Sequence, residues 1–176
     1  MDRSMSRLSI RTAGPEDIAL IMQLADVAFR TTYASILSPE QMEYMMDWMY
    51  SEKSLRTQIC DEGKTFCVAE SDGTPAGYVS YEFERMLDDG RPLYHLQKLY
   101  LLPDCQHLGY GRQMMEHVLE DLHGRHAGGC RVELNVNRGN TAVGFYEHMG
   151  LQRDRRGDFP IGNGFFMNDF IYAIDL

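Results

Sequence analysis

Two glycines, Gly109 and Gly111, stand in a turn between an apolar run and a periodic amphipathic stretch, within the segment QHLGYGR. Backbone N–H groups at the start of a helix have no partner inside the helix, and the helix dipole favours negative charge there. Glycine permits positive φ and lets a phosphate approach the main chain closely. The turn therefore predicts an anion site made of Gln106, His107, Leu108, Gly109, Tyr110, Gly111 and Arg112. Taken alone, a Gly-x-Gly turn can equally be a simple connection between two secondary-structure elements, with no binding role.

The glycine spacing restricts the choice of anion. A dinucleotide fingerprint requires G-x-G-x-x-G and a P-loop ends in Gly-Lys-Ser/Thr, and the sequence has neither pattern. It has Q-x-x-G-x-G, followed downstream by a second cluster, NRGNTAVGFYE, over residues 137–147. Together and in this order, the two motifs resemble the GNAT superfamily of acetyl-CoA-dependent N-acetyltransferases. In that superfamily the pyrophosphate loop reads Q/R-x-x-G-x-G/A and a later helix carries N-x-x-A-x-x-F-Y.

The resemblance implies a fold and a co-substrate. The expected fold is a single α/β (α+β) domain over residues 1–176, with a mixed central sheet of about six or seven strands and about four flanking helices. The expected co-substrate is acetyl-CoA, with its pyrophosphate on the turn of residues 106–112 and Asn140 as a further cofactor contact. No metal is expected, because the six histidines form no H-E-x-x-H pattern.

Tyr146 matches the general acid of the family. The implied reaction is attack by a neutral amine on the acetyl thioester, followed by departure of the coenzyme A thiolate. A phenol with an ordinary pKa of about 10 is a reasonable proton donor to that thiolate. The alternative is that Phe145 and Tyr146 are two core aromatic residues, with the Tyr146 hydroxyl bonded inside the protein.

The strand predicted over residues 93–101 has a role of its own in the family, where it splays from its neighbour. By that resemblance, the main chain of Leu99, Tyr100 and Leu101 should hold the pantetheine arm and aim an N–H group at the thioester oxygen. An ordinary central strand is the alternative. Strand parity predicts that one face carries His95, Gln97, Leu99 and Leu101, and the other carries Tyr94, Leu96, Lys98 and Tyr100.

The motifs do not identify the residue that acts as the general base. Many family members have a glutamate on the strand before the pyrophosphate loop, whereas the matching residue here is Gln97, which cannot usefully accept a proton. His95 could act as the base through a water molecule, since the pKa of an unperturbed histidine is about 6.5. A single histidine on a strand is more often structural.

The remaining elements follow from periodicity and turn residues. Ser38 and Pro39 predict a helix start, with Gln41 completing a capping box. Asp72-Gly73 predicts a hairpin turn. The predicted strands are 8–12, 65–70, 76–83, 93–101, 130–136, 151–159 and 165–174. The predicted helices start at Pro15, Pro39, Ser51, Arg112 and Asn140, and the last runs to His148 with Gly150 as its C-cap. Residues 84–92 are predicted as a polar loop.

Composition excludes several classes of protein. The 176 residues carry a net charge of −9, which disfavours a nucleic-acid partner. No apolar run is long enough to span a membrane, and the polar N-terminus predicts a cytoplasmic protein. The four cysteines show no ordered spacing, which indicates reduced thiols. A homodimer is the common arrangement among soluble oligomers.

The acceptor is indicated by a narrower resemblance. The segments TYASILSPEQMEYMMDWMYS and GDFPIGNGFFMNDFIYAIDL are similar to the bacterial spermidine/spermine acetyltransferase (PaiA-type) branch, which implies a polyamine or another small amine. The family's acceptor site would lie around residues 31–38, 45–48, 82–89 and 159–169. Two alternatives stay open: an acetyltransferase acting on a protein N-terminus or lysine, and a non-catalytic acyl-CoA-binding sensor. The length of the acyl group is also open.

Overall fold

A computed structural model describes residues 7–176 of the chain. Its centre is one sheet of seven strands in the order β1-β2-β3-β4-β5-β7-β6. β4 and β5 run parallel, and every other neighbouring pair is antiparallel, so the sheet is mixed as predicted. The strands are β1 (Ser9–Thr12), β2 (Thr65–Ser71), β3 (Thr74–Met86), β4 (Pro92–Leu101), β5 (Arg131–Asn137), β6 (Gln152–Gly162) and β7 (Phe165–Asp175).

Helices cover both faces of the sheet. They are α1 (Ile18–Tyr33), α2 (Pro39–Tyr50), α3 (Glu52–Arg56), α4 (Tyr110–Arg125) and α5 (Val143–His148). α1, α2 and α3 enclose one buried apolar cluster, and α4 and α5 contribute to a second cluster on the opposite face. The predicted apolar stripe of α4 is buried in this second cluster at Met114, Met115, Val118 and Leu122. The predicted α/β class and helix content are therefore confirmed.

Local turn and cap signals were mostly sufficient to place the element ends. Asp72 and Gly73 have φ values of 51° and 79°, the left-handed conformation that a two-residue hairpin turn requires. The Ser38 hydroxyl accepts a hydrogen bond from the Gln41 N–H at 3.1 Å, which confirms the predicted cap. The predicted capping box is wrong, because the Gln41 side-chain amide donates to the Phe166 carbonyl oxygen at 2.9 Å instead.

Several element boundaries differ from the sequence predictions: β3 and β6 extend further than expected, and the α-helix expected from Pro15 begins at Ile18. The polar loop predicted over 84–92 is shorter, because Arg85 pairs with Leu93 and Met86 with Pro92. The helix predicted to begin at Arg112 begins at Tyr110. The helix predicted from residue 140 begins at Val143. In each case cross-strand pairing or a local turn sets the boundary, and neither is visible in hydrophobic periodicity.

A bulge interrupts β4 at Gln97. Tyr81 pairs with Leu96 and Ser80 pairs with Lys98, so Gln97 has no partner residue on β3. The extra residue shifts the strand period by one position. The prediction that alternate residues keep one face along the whole strand is therefore wrong. Leu96 packs in the α4-side cluster together with Leu99 and Leu101, while Tyr100 packs on the α1–α3 side.

Candidate active site

β4 and β5 separate soon after they meet. They pair only where Leu93, Tyr94 and His95 lie beside residues 131–133. Beyond the bulge, β4 continues to pair with β3 but has left β5. Part of the main chain near Leu99, Tyr100 and Leu101 is therefore free to bind an extended ligand, which agrees with the expected splay.

A cavity of about 640 Å³ opens at this separation. Its walls come from β4, the turn before α4, the end of β5, the segment that leads into α5, and the C-terminal end of α1. The predicted site residues that line it are Gln97, Leu99, Tyr100, Leu101, Gln106, His107, Gly109, Gly111, Arg112, Asn140 and Tyr146. His95, Leu108 and Tyr110 are not among the lining residues.

The turn before α4 has the backbone geometry of an anion site. Gly109 and His107 have φ values of 80° and 62°, and α4 begins at the residue after Gly109. The first N–H groups of this 16-residue helix therefore lie next to the cavity wall. The Tyr110 ring is buried and its hydroxyl lies 2.8 Å from the Ser71 hydroxyl, so its side chain anchors the helix start. The turn fits a pyrophosphate group.

Tyr146 combines a buried ring with an uncommitted hydroxyl. Its ring packs against Phe145 at a centroid distance of 5.2 Å. Within residues 7–176, the Tyr146 hydroxyl makes no hydrogen bond. Burial, with a smaller contribution from Tyr33, raises the pKa of Tyr146 above that of an exposed phenol. The hydroxyl therefore stays protonated at neutral pH and has a proton to donate.

Asn140 lies in the cavity wall but departs from the family spacing. In the family pattern the asparagine stands three residues before the alanine, whereas Asn140 stands two residues before Ala142. Its side-chain oxygen accepts a hydrogen bond from the Ala142 N–H at 2.9 Å. A further hydrogen bond from its side chain lowers the pKa of Tyr33, although burial raises that pKa overall. Asn140 thus shapes the turn that leads into α5.

The two residues considered at the position of the general base, His95 and Gln97, have different surroundings. His95 lies outside the cavity lining, with Nδ1 at 3.4 Å from a carboxylate oxygen of Glu84. Burial lowers the pKa of His95 against the opposing charges of Glu84, Glu82 and Glu133. Gln97 lines the cavity, and its amide nitrogen donates to Glu82. These placements favour a structural role for His95 and leave Gln97 beside the ligand space without an acid–base group.

Three polar side chains near the cavity were not named as site residues from the sequence, although Tyr33 and Asp169 fall within the expected acceptor regions 31–38 and 159–169. The Tyr33 hydroxyl lies 3.3 Å from the Tyr100 hydroxyl at the cavity wall. Asp169 on β7 is buried and is bonded by Asn135, which lines the cavity. Lys98 on β4 is buried behind Gln97. A charged residue inside an otherwise β-like stretch is the signal that could have indicated Lys98 and Asp169.

Neither a metal-binding cluster nor a membrane-spanning helix is present in the part of the chain that the structure describes. Residues 7–176 contain no group of three or more His, Cys, Asp or Glu side chains placed to hold a metal ion. Over the same residues, no helix has both the length and the apolar character needed to cross a membrane.

Comparisons with known proteins add independent findings. A model of the acetyltransferase (GNAT) domain family matches residues 33–159. An uncharacterized N-acetyltransferase encoded in the pepI 3′ region of Lactobacillus delbrueckii subsp. lactis is 26% identical over 163 residues, which is 90% of this chain and 92% of the relative.

Solved structures share the fold. The PaiA N-acetyltransferase of Thermoplasma acidophilum, in complex with coenzyme A, superposes with a TM-score of 0.75 at 23% identity, covering 97% of this chain and 99% of that one. A GCN5-related N-acetyltransferase of Rhodopseudomonas palustris gives a TM-score of 0.77 at 22% identity, with both chains covered over 100% of their length.

Proposed function

Because the chain belongs to the GNAT family of acetyl-CoA-dependent N-acetyltransferases, we propose that its acceptor is the primary amine of a small molecule, with a polyamine as the first candidate. The amine attacks the acetyl thioester directly, without an acetylated enzyme intermediate. Residues 1–176 act as one domain, and the enzyme works in the cytoplasm.

The observation that carries this proposal is a set of contacts between α2 and the β6–β7 hairpin, two of the segments around which the family's acceptor site is expected. The Tyr44 hydroxyl donates to the Ile161 carbonyl oxygen at 2.7 Å, and the Tyr44 ring lies 5.4 Å from the Phe165 ring. Together with the bond from Gln41 to Phe166, these contacts tie the β6–β7 hairpin to α2. An acceptor side bridged in this way suits a small amine better than the surface of a folded protein.

Charge supports a cationic acceptor. The chain has a net charge of −9. Glu82 and Glu84 lie on β3 near the bulge, and the Glu84 side chain is 45% exposed. A negative field raises the local concentration of a polycation and speeds its association. The PaiA likeness is one of fold, and it agrees with this choice of acceptor without deciding it.

The co-substrate would lie along the splayed strand and the glycine turn. In this arrangement the main chain of Leu99, Tyr100 and Leu101 holds the pantetheine arm, and the turn of residues 106–112 binds the pyrophosphate. Asn140, which lines the cavity, provides a further contact to the co-substrate. Tyr146 protonates the leaving thiolate. Apart from Leu108 and Tyr110 of the turn, all of these residues line one cavity, which supports the assignment.

The test is thiol release from acetyl-CoA in the presence of polyamines, aminoglycosides and peptides. We expect spermidine or spermine to raise thiol release well above background hydrolysis, and peptides to have little effect. Preferential use of a peptide amine would replace the proposal with protein acetylation. No stimulation by any amine would favour the sensor alternative. A parallel series with propionyl-CoA determines whether the acyl group is acetyl.

A further inference from the structure

Asp169 is a buried carboxylate that the fold leaves incompletely satisfied. It is 4% exposed. One oxygen, Oδ2, accepts a hydrogen bond from the Asn135 amide at 3.2 Å, while Oδ1 is buried without any partner among residues 7–176. Burying a carboxylate with an unbonded oxygen is costly, so such a group in a native protein requires an explanation. A cationic ligand that completes its bonding is one such explanation.

The surroundings of Asp169 connect it to the cavity. On the sheet it lies between Asn137 of β5 and Gly157 of β6. Asp169 is not itself among the residues that line the cavity, but its hydrogen-bond donor, Asn135, is, so the carboxylate lies one side chain behind the wall. The charge of Asp169 contributes to raising the pKa of Tyr33, which lines the same cavity.

Tyr33 connects Asp169 to the expected proton donor. The interaction between Tyr33 and Tyr146 contributes to raising the pKa of Tyr146. Tyr33 and Tyr146 both line the cavity, and the charge of Asp169 acts on Tyr33. An acceptor amine bound between Asp169 and Tyr146 would have a carboxylate on one side and a phenol on the other.

The cation that acts on Asp169 within the protein is Arg138. That guanidinium is committed elsewhere, because one of its nitrogens bonds the Asp158 carboxylate at 2.6 Å and another lies 3.4 Å from the Gly157 carbonyl oxygen. Burial outweighs both Arg138 and the Asn135 hydrogen bond, so the pKa of Asp169 is raised. A carboxylate in this state is a better proton acceptor near neutral pH than an exposed one.

We propose that Asp169 binds the ammonium group of the acceptor through its free oxygen and accepts one of its protons, while Asn135 holds the carboxylate in place. This inference rests on the proposed function, since it assigns the base for that reaction. It also explains how the site can work with Gln97 in the position of the family's glutamate.

The protons balance over one turnover. Asp169 takes one proton from the ammonium, which leaves a neutral amine. The amine nitrogen then forms a bond to the acetyl carbon, the carbon–sulfur bond breaks, and Tyr146 gives its proton to the sulfur. The second proton lost by the nitrogen restores Tyr146, and the proton held by Asp169 passes to solvent.

The main test is Asp169→Asn, with spermidine as the acceptor. We expect kcat/KM at pH 7 to fall by about 100-fold or more, the usual range for loss of a general base. The loss should shrink toward pH 10, where more of the amine is already neutral. Coenzyme A affinity, measured by calorimetry, should be unchanged. Asp175→Asn is the matched control, because Asp175 is an exposed carboxylate on the same strand, and it should keep the wild-type rate.

A second variant keeps the inference testable if Asp169→Asn folds poorly. The Asn135 hydrogen bond lowers the pKa of Asp169. Asn135→Ala should therefore move the acidic limb of the kcat/KM profile to higher pH. An unmoved limb, or Asp169→Asn retaining kcat/KM within threefold at pH 7, would overturn the role of Asp169.

The outcomes separate this inference from the proposed function. If wild type acetylates a peptide amine and no polyamine, the proposed acceptor is wrong, and the same variants are tested with that peptide. If no amine is acetylated, spermidine is titrated calorimetrically into the coenzyme A-bound wild type and Asp169→Asn. Binding that depends on Asp169 would support the ammonium site alone, and equal or absent binding would reject it.

Discussion

Two buried charged side chains, Lys98 and Asp169, differ in how completely the protein surrounds them. The Lys98 ammonium group lies 3.0 Å from the Gln58 side-chain oxygen and 3.4 Å from that of Gln97. The Phe66 ring lies 5.3 Å from the same nitrogen, close enough for a cation–π contact. Asp169 has a single hydrogen-bond donor and one unbonded oxygen. The enclosed group belongs to the fold, whereas the incomplete one is the group for which we propose a ligand.

Two buried tyrosines show the same difference. The Tyr78 hydroxyl donates to the Tyr50 hydroxyl at 2.7 Å inside the α1–α3 cluster. The Tyr146 hydroxyl has no such partner in the described chain, and Tyr146 lines the cavity. Burial alone therefore does not identify a functional group. The informative feature is a polar side-chain atom near a cavity that is left without a protein partner.

Among the variants that test the difference between buried polar groups with and without a protein partner, Tyr146→Phe is expected to have the largest effect. Removing the hydroxyl removes the proposed proton donor, so kcat should fall by about 100- to 10,000-fold. Coenzyme A affinity should stay nearly unchanged, because the ring remains in place. The measurement is steady-state thiol release together with calorimetric titration of coenzyme A. Turnover at the wild-type level would remove Tyr146 as the acid.

An intermediate effect is expected from Lys98→Met. Burial, with the nearby charge of Lys64, lowers the pKa of Lys98 to about 7. Below pH 7 the lysine is protonated in both the folded and the unfolded protein, and the cost of burying its charge is present in full. As pH rises from about 7 toward 10.4, the folded protein loses this proton before the unfolded chain does, so the wild type gains stability.

The variant lacks this titration. Relative to Lys98→Met, the free energy of unfolding of the wild type should therefore rise by up to about 1.4 kcal/mol per pH unit across that window. Urea unfolding of both proteins at pH 6, 8 and 10 measures the difference. Parallel pH dependences would show that Lys98 is solvated in the folded protein, and the contrast with Asp169 would fail.

The smallest expected effect is that of Tyr78→Phe. The change removes one buried hydrogen bond to Tyr50, so the free energy of unfolding should fall by about 1 kcal/mol. Because Tyr78 is outside the cavity lining, kcat should match that of wild type. Thermal unfolding and thiol release, compared with Tyr146→Phe, separate the two kinds of buried phenol. A large loss of kcat in Tyr78→Phe would contradict the division.

Local sequence signals were enough for the family and the class of fold, and they predict the position of the co-substrate turn. The two glycines of the turn, the helical stripe from Met114 to Leu122 and the Asp72-Gly73 turn depend on residues close together in the chain. Helix periodicity, capping and turn conformation are interactions over a few residues, so a sequence displays them directly. The match of residues 33–159 to the GNAT domain confirms the resemblance carried by the two motifs.

Tertiary structure decided the features that depend on distant segments. The bulge at Gln97 exists because β3 and β4 pair in a shifted register, and it changes which side chains of β4 face each core. Asp169 becomes a candidate base only because β7 lies beside β5 and brings it to Asn135, 34 residues away in the chain. The sequence by itself determined where acetyl-CoA is expected to lie. The carboxylate proposed to meet the amine is placed by strand pairing and burial, which are non-local properties.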